Sequence, residues 1–502
     1  MSSRRGTWPV ILATAVAVAL PGIAGRGAVP DHGAEPPEQQ QRFAPHEWES
    51  ITVTRFVRSV ATGPRYVGVG TEGGLLIYDR VAHRWRNPLT SADGLPDNVV
   101  LEVSFTADGR MLVVTRAEQG VVDPSVARYT PDPFARPAPL EQPAGLPPNL
   151  FTGPGYQYLS NGAIGGPAGL IAPVMTRAAD DDAGLWLGTW GLGSGRADLR
   201  TLSLEMLPQG LWSADVRALA LLDGSLVAAG IGDFQTSGGI SVIDPDGGGS
   251  SYLLAAEEIG LRSDRVYGLA AEGRRLWVAT DQGLARRDSS GRWRTWTRAQ
   301  GLPGQIATAV TVAAGSVWVG TDHGAAVVTA DTLTTVAVPG SAVVLDIAAT
   351  EGAVWWATTQ GVYGYRGAWP GGSLARLEHP RGRLDGQVDA AGAWKDEVWF
   401  AGAAGVVAYD AAAGTWQEVP PVGSFSPGEV SDIALDEENV WLATGDGVLR
   451  LIREAGTWHR YGPEDGLIGR PVQAIVLEGS LVWLGTARGV SRFDTRLRRR
   501  TP

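Results

Sequence analysis

A five-residue apolar run returns ten times along the chain, and each return ends in Gly or Thr. The runs are Tyr66–Gly70, Met111–Thr115, Leu185–Thr189, Leu226–Gly230, Leu276–Thr280, Val317–Thr321, Val354–Thr358, Val398–Gly402, Val440–Thr444 and Val482–Thr486. Seven of them carry Trp at the second position (Trp186, Trp277, Trp318, Trp355, Trp399, Trp441 and Trp483). The runs are apolar on both faces rather than alternating, the pattern of a strand covered on both sides. In Val317–Val328 the first strand ends at Thr321, Asp322-His323-Gly324 turns the chain back, and Ala325–Val328 returns. Gly324 sits where a short hairpin needs a positive φ, which a residue without Cβ adopts cheaply.

Each unit predicts four strands. A first strand such as Gln305–Val312 leads into the Trp-bearing second. The third ends in an aromatic-Asp pair, as in Tyr78-Asp79, Tyr409-Asp410 and Phe493-Asp494, and a Gly-containing turn opens a Trp-bearing fourth, as at Trp85, Trp293, Trp416 and Trp458. A Gly-Leu connector begins the next unit, as at Gly94-Leu95, Gly301-Leu302 and Gly466-Leu467. From residue 186 onward the second position recurs at 227, 277, 318, 355, 399, 441 and 483. Four strands at a period near 42 are the requirement of a β-propeller blade. No stretch sustains a 3.6 period, so long helices are not expected.

The fold class expected is all-β, a single β-propeller of about ten four-stranded blades, with eight or nine blades or two smaller rings as alternatives. The last unit stops after Phe493-Asp494 without a fourth strand, while His46–Ile51 reads as a fourth strand without a unit. Pairing the two would seal the ring and remove exposed edges. The tryptophans read as packing, each contributing roughly 1.5–3 kcal/mol when buried.

Composition narrows the setting. The formal charge of −11 argues against nucleic acid as a partner. Cysteine is absent, which excludes a disulfide, a thiolate nucleophile and a Cys-based metal site. Arg4-Arg5, the apolar run Val10–Leu20 and the small residues near Ala24 and Ala28 describe a secretory signal, too short for a comfortable membrane span. The domain plan expected is a signal at 1–28, a disordered leader at 29–45, the propeller at 46–495 and a basic tail at 496–502, with the protein periplasmic or secreted.

These units resemble the repeats of the two-component regulator propeller family, whose unit reads Leu-Trp-Val-Gly-Thr, two variable residues, Gly-Leu, an aromatic and Asp. The resemblance covers nearly all of residues 46–495 and is strongest from Leu276 to Asp494. In that family, paired propellers form the sensor part of membrane histidine kinases, and some recognise oligosaccharides. The resemblance implies an exported propeller that binds something, here without a kinase module, and it supplies no catalytic residue.

A binding site is expected on the face carrying the enlarged loops, because loops on a rigid scaffold carry function. Trp190–Arg196 and Ile231–Gly238 enlarge second-to-third-strand turns, and Phe151–Gly169 enlarges a connector. The ligand-binding residues expected are Tyr156, Tyr158, Trp190, Arg196, Asp233, Phe234 and Gln235. Asp180-Asp181-Asp182 reads as a solvated acidic turn on the opposite face, and Asp322 as a turn former. Six scattered histidines show no metal-ligand spacing, no catalytic constellation is visible, and no metal or cofactor is expected. The function expected is non-catalytic binding of a glycan, a peptide or an envelope partner. A propeller hydrolase or lyase with carboxylates near the ring axis, or an accessory sensor acting with a separate membrane histidine kinase, are the alternatives.

Overall fold

A computed structural model describes residues 48–138, 151–180, 183–232, 237–245, 249–255, 261–420 and 430–496. Within them lie ten antiparallel sheets, numbered here in chain order: sheet 1 (57–85), sheet 2 (100–131), sheet 3 (152–206), sheet 4 (218–253), sheet 5 (266–296), sheet 6 (307–336), sheet 7 (344–377), sheet 8 (388–417), sheet 9 (430–461) and sheet 10 (472–494 with 48–51). Nine are four-stranded. Sheet 3 is larger: short strands from residues 152–165 extend it, and Thr152 lies parallel to Ser203, so its seven strands close on themselves. The connector 151–169 is therefore strand, not open loop.

One hydroxyl explains why the second strand so often ends in Thr. Thr71, Thr280, Thr321, Thr358, Thr444 and Thr486 are buried, and each donates to the carbonyl of the glycine three residues on, at 2.7–2.9 Å. That glycine opens the third strand at positive φ, 105° at Gly324. The turn is thus closed from inside the sheet without a solvent-facing partner.

The closing strand pairs as the sequence led us to expect. Trp48 lies opposite Phe493 and Ile51 opposite Val490, in antiparallel register. Trp48 is buried, with its ring centroid 4.8 Å from Phe493 and 6.0 Å from Tyr461.

The packing of sheet on sheet departs from a single circuit of ten. Buried clusters join sheets 4 and 5, 5 and 6, 6 and 7, 7 and 8, 8 and 9, and 9 and 10. The next cluster returns from sheet 10 to sheet 4: Ala474, Trp483 and Val490 pack on Val216, Leu219 and Leu226. Seven sheets therefore form one circuit. Sheets 1 to 3 form a separate stack, in which sheet 1 lies in the middle. One of its faces packs on sheet 2 through Val100, Val103 and Met111, and the other on sheet 3 through Trp186. The chain closes the circuit with residues 48–51, leaves it to build the stack, and returns at sheet 4. Neighbours follow sequence order from sheet 4 to sheet 10 and from sheet 1 to sheet 2, and depart from it where sheet 3 packs on sheet 1 and sheet 10 returns to sheet 4. Similar apolar faces on all the sheets make such alternative pairings available.

Candidate functional site

Where sheets 1 and 3 meet, a cleft of about 740 Å³ opens. Its walls are the strands 74–79 and 84–85 of sheet 1 and 184–189, 194–198 and 203–206 of sheet 3, with Pro208, Gly249 and Ser250 closing one side from the direction of sheet 4. The floor is aromatic. Tyr78 lies 5.1 Å from Trp85 and 5.2 Å from Trp186, and the two indoles meet edge to face at 6.2 Å. Trp85 and Trp186 are buried by this packing, and Tyr78 is half-buried.

The polar wall is built on Asp180, whose side chain is only 2 % exposed. Arg80 reaches one of its oxygens at 2.8 Å and Arg196 the other at 2.6 Å. Arg80 also donates to the carbonyls of Gly63 (2.8 Å) and Asp180 (3.1 Å), which fixes it across the base of sheets 1 and 3. By contrast His83, Arg84 and Glu205 are exposed and, among the described residues, make no side-chain hydrogen bond or ion pair. Burial, with the Glu205 carboxylate adding to it, raises the Tyr78 phenol above its usual range, so the hydroxyl stays protonated and can donate. Among the described residues, three guanidiniums (Arg80, Arg84, Arg196) against two carboxylates (Asp180, Glu205) leave the lining at +1, in a chain whose formal charge is −11.

A second, smaller cavity of about 200 Å³ lies among the first strands of the seven-sheet circuit. Asp346 and Asp432 line it. Burial pushes their carboxyls up to about 6 and about 7, and the proximity of Asp346 adds to the rise at Asp432. Each carboxylate joins two sheets. Asp346 accepts the N–H of Ile347 (2.7 Å) and of Ala391 on sheet 8 (2.9 Å). Asp432 accepts that of Ile433 (2.7 Å) and of Ile475 on sheet 10 (2.6 Å). Among the described residues no group of three or more His, Asp or Glu gathers that could hold a metal ion.

The residues expected to form one loop-rich rim lie in different places. Arg196 lines the cleft. It stands opposite Trp186 in the register at which Arg286, Arg450 and Arg492 stand opposite Trp277, Trp441 and Trp483, and those three lie 5.1–5.3 Å over their indoles. Tyr158 is buried in the core of sheet 3, 5.8 Å from Phe151, and Tyr156 is partly buried beside it. Trp190 is 37 % exposed, against Phe56 (5.2 Å) and Arg58 (5.4 Å). Asp233, Phe234 and Gln235 lie outside the described residues. The turn 190–196 is not open: Gly191 and Gly193 donate to the Arg55 carbonyl at 3.0 and 2.9 Å.

Asp180, read from sequence as a solvated acidic turn, is instead the ionic centre of the cleft. Tyr78 entered only as part of the repeat, and neither Arg84 nor Glu205 was expected in a site. The aromatic-Asp pair Tyr78-Asp79 was a visible signal, but nothing in the sequence places sheet 1 beside sheet 3.

No family model matches the chain, and no curated protein matches it. Solved structures do. The extracellular domain of the hybrid two-component system BT4673 from B. thetaiotaomicron is 15% identical, with 88% of this chain and 70% of that one covered and a TM-score of 0.47. PorZ, a surface component of the type-IX secretion system of Porphyromonas gingivalis, is 16% identical over 87% of this chain and 68% of that one, TM-score 0.48. Virginiamycin B lyase from Staphylococcus aureus is 15% identical over 56% of this chain and 95% of that one, TM-score 0.44. Extracellular domains of two-component systems stand among the similar structures.

Proposed function

We propose that this chain is an exported binding protein of β-propeller architecture, and that it takes a polar ligand, glycan or peptide, in the cleft between sheets 1 and 3. The observation that carries the reading is the cleft itself. It has the size of an ordinary ligand site, an aromatic floor, and three polar side chains (His83, Arg84, Glu205) left uncommitted on a rigid frame. Its local +1 against an acidic chain favours a ligand bearing an anionic group. The signal-like start at Arg4–Ala28 supports export, and among the described residues no helix is long and apolar enough to cross a membrane. Of the residues proposed from loop enlargement, Arg196 lines this cleft.

The test is a panel of acidic and neutral oligosaccharides and peptides, titrated against the protein and its R84A and E205Q variants. A binder should weaken about tenfold in R84A, the worth of one lost charged hydrogen bond. A binder that ignores both substitutions would place the site elsewhere.

One observation favours a second reading, a hydrolase or lyase working at the axis of the circuit: two carboxyls with raised pKa share the axial cavity. Both oxygens of each are occupied by backbone N–H groups, which is why the cleft is preferred. Turnover on a polysaccharide panel that disappears in D346N and D432N would reverse that preference.

A further inference from the structure

Stack and circuit are joined by a neck of two chain segments. Residues 52–56 leave the closing strand for sheet 1, and residues 207–215 return from sheet 3 to sheet 4. Val53 and Gly210 form an antiparallel bridge, and Leu211 donates to the Thr52 carbonyl at 2.8 Å. The hydroxyls of Thr54 and Tyr252 both donate to the Gln209 carbonyl. No regular sheet spans this region; the turn 91–93 that follows sheet 1 also lies against strand 48–51, and the Thr52 hydroxyl donates to the Gly73 carbonyl.

Arg55 is the side chain of the neck that reaches furthest. It is 7 % exposed. Its Nε donates to the Trp212 carbonyl at 3.1 Å and its Nη1 to the Gly191 carbonyl at 3.1 Å. The guanidinium lies 3.9 Å from the Trp212 ring centroid and 4.4 Å from that of Phe56. Its own carbonyl accepts the N–H groups of Gly191 and Gly193. Trp212 in turn is buried and its backbone N–H donates to the Ser241 hydroxyl of sheet 4 at 2.8 Å. One residue thus holds the turn of sheet 3, the return segment and, through Trp212, the first sheet of the circuit. A planar fork that bonds two carbonyls and stacks on two rings suits arginine and not lysine.

The cleft has walls on both sides of this joint. Pro208 belongs to the return segment and Gly249 and Ser250 to sheet 4; Tyr78, Arg84, Trp186 and Arg196 belong to the stack. The angle between stack and circuit therefore sets the spacing of the walls. We infer that Arg55 is the positioning residue of the cleft: it sets how the stack sits on the circuit, and through that the width of the ligand site. The functional consequence rests on the cleft being the binding site; the mechanical claim does not.

The absence of cysteine makes the test direct. Val126, 66 % exposed in sheet 2, and Asp396, exposed in a turn of sheet 8, are changed to cysteine and spin-labelled, and the distance between the labels is measured without ligand. The parent should give one narrow distribution. R55A should broaden and shift it while the near-ultraviolet circular dichroism of the buried tryptophans is kept. R55K retains charge and stem but not the double carbonyl bond, and should fall between the two. Should R55A fail to fold, R55K decides alone. A parental distribution in the variants that fold overturns the inference. Because no ligand is added, an empty result from the binding panel would leave this outcome standing, and the reverse holds as well.

Discussion

At the scale of single residues, the repeat is written by three side chains with separate jobs. The indole at the second position fills the space between neighbouring sheets, and Trp186, Trp355, Trp441 and Trp483 are at most 1 % exposed. The threonine three places on closes the turn through its hydroxyl, and the glycine after it supplies the positive φ. Replacing Thr321 by Val keeps shape and volume but leaves the Gly324 carbonyl without that donor. We expect a loss of about 1–2 kcal/mol, read as a lower urea midpoint with an unchanged slope. Glutamate adds a fourth element in some units: Glu272 and Glu478 each accept an indole N–H five residues on, from Trp277 at 3.1 Å and Trp483 at 3.0 Å. Asp180 is the residue with the largest local consequence in the cleft. D180N removes the charge that gathers Arg80 and Arg196, and should lower stability by roughly 1–3 kcal/mol. It should also change the cleft's affinity for an anionic ligand, checked by the same titration as R84A. The local code at this scale was legible because each partner lies within a few residues in sequence. Asp180 was not, because its partners come from another sheet.

At the scale of elements, the strand 48–51 carries more than its length suggests. It completes sheet 10 with residues from the far end of the chain, and Trp48 seats against Phe493 and Tyr461. W48A should cost about 3–5 kcal/mol, as expected for a buried aromatic replaced by alanine. Removal of residues through 51 should bare the 489–494 edge and promote concentration-dependent self-association, seen by light scattering. This pairing was legible from sequence, since one unit lacked a fourth strand and one strand lacked a unit. Sheet 3 was not. Residues 151–169 look like loop because Gly, Pro, Asn and Tyr are mixed without alternation, yet three short strands form there and cover Phe151 and Ile164. Strands of two or three residues are too short to write a period of two.

At the scale of the whole molecule, stability is tied to pH through buried acids. Burial raises Asp93 to about 6, with Glu49 of the closing strand adding to the effect, and it raises Asp346 and Asp432 to about 6 and about 7. A carboxyl whose pKa is higher in the folded protein than in the unfolded chain favours folding while it is protonated. That contribution is full below about pH 4, the unfolded value, and is lost as pH rises through the folded values. The denaturant midpoint should therefore fall between about pH 4 and about pH 7, and D346N or D432N should flatten that fall. A midpoint that rises with pH over this window would show that these groups are ionised more easily in the fold than in the chain. The seven-sheet circuit and the three-sheet stack also predict two thermal transitions when the neck is weakened, resolved by calorimetry of R55A.

The amino-acid sequence alone determined the local unit: four strands, the tryptophan between sheets, the threonine-glycine turn, and the pairing of residues 48–51 with 489–494. Each of these depends on side chains close in sequence or on a strand with no other partner to take. Tertiary structure alone decided where the packing leaves chain order, sheet 3 on sheet 1 and sheet 10 on sheet 4, and with it the cleft. Ten nearly equivalent apolar faces can be ordered in many ways, and only the complete fold places sheet 1 between sheets 2 and 3 and returns sheet 10 to sheet 4.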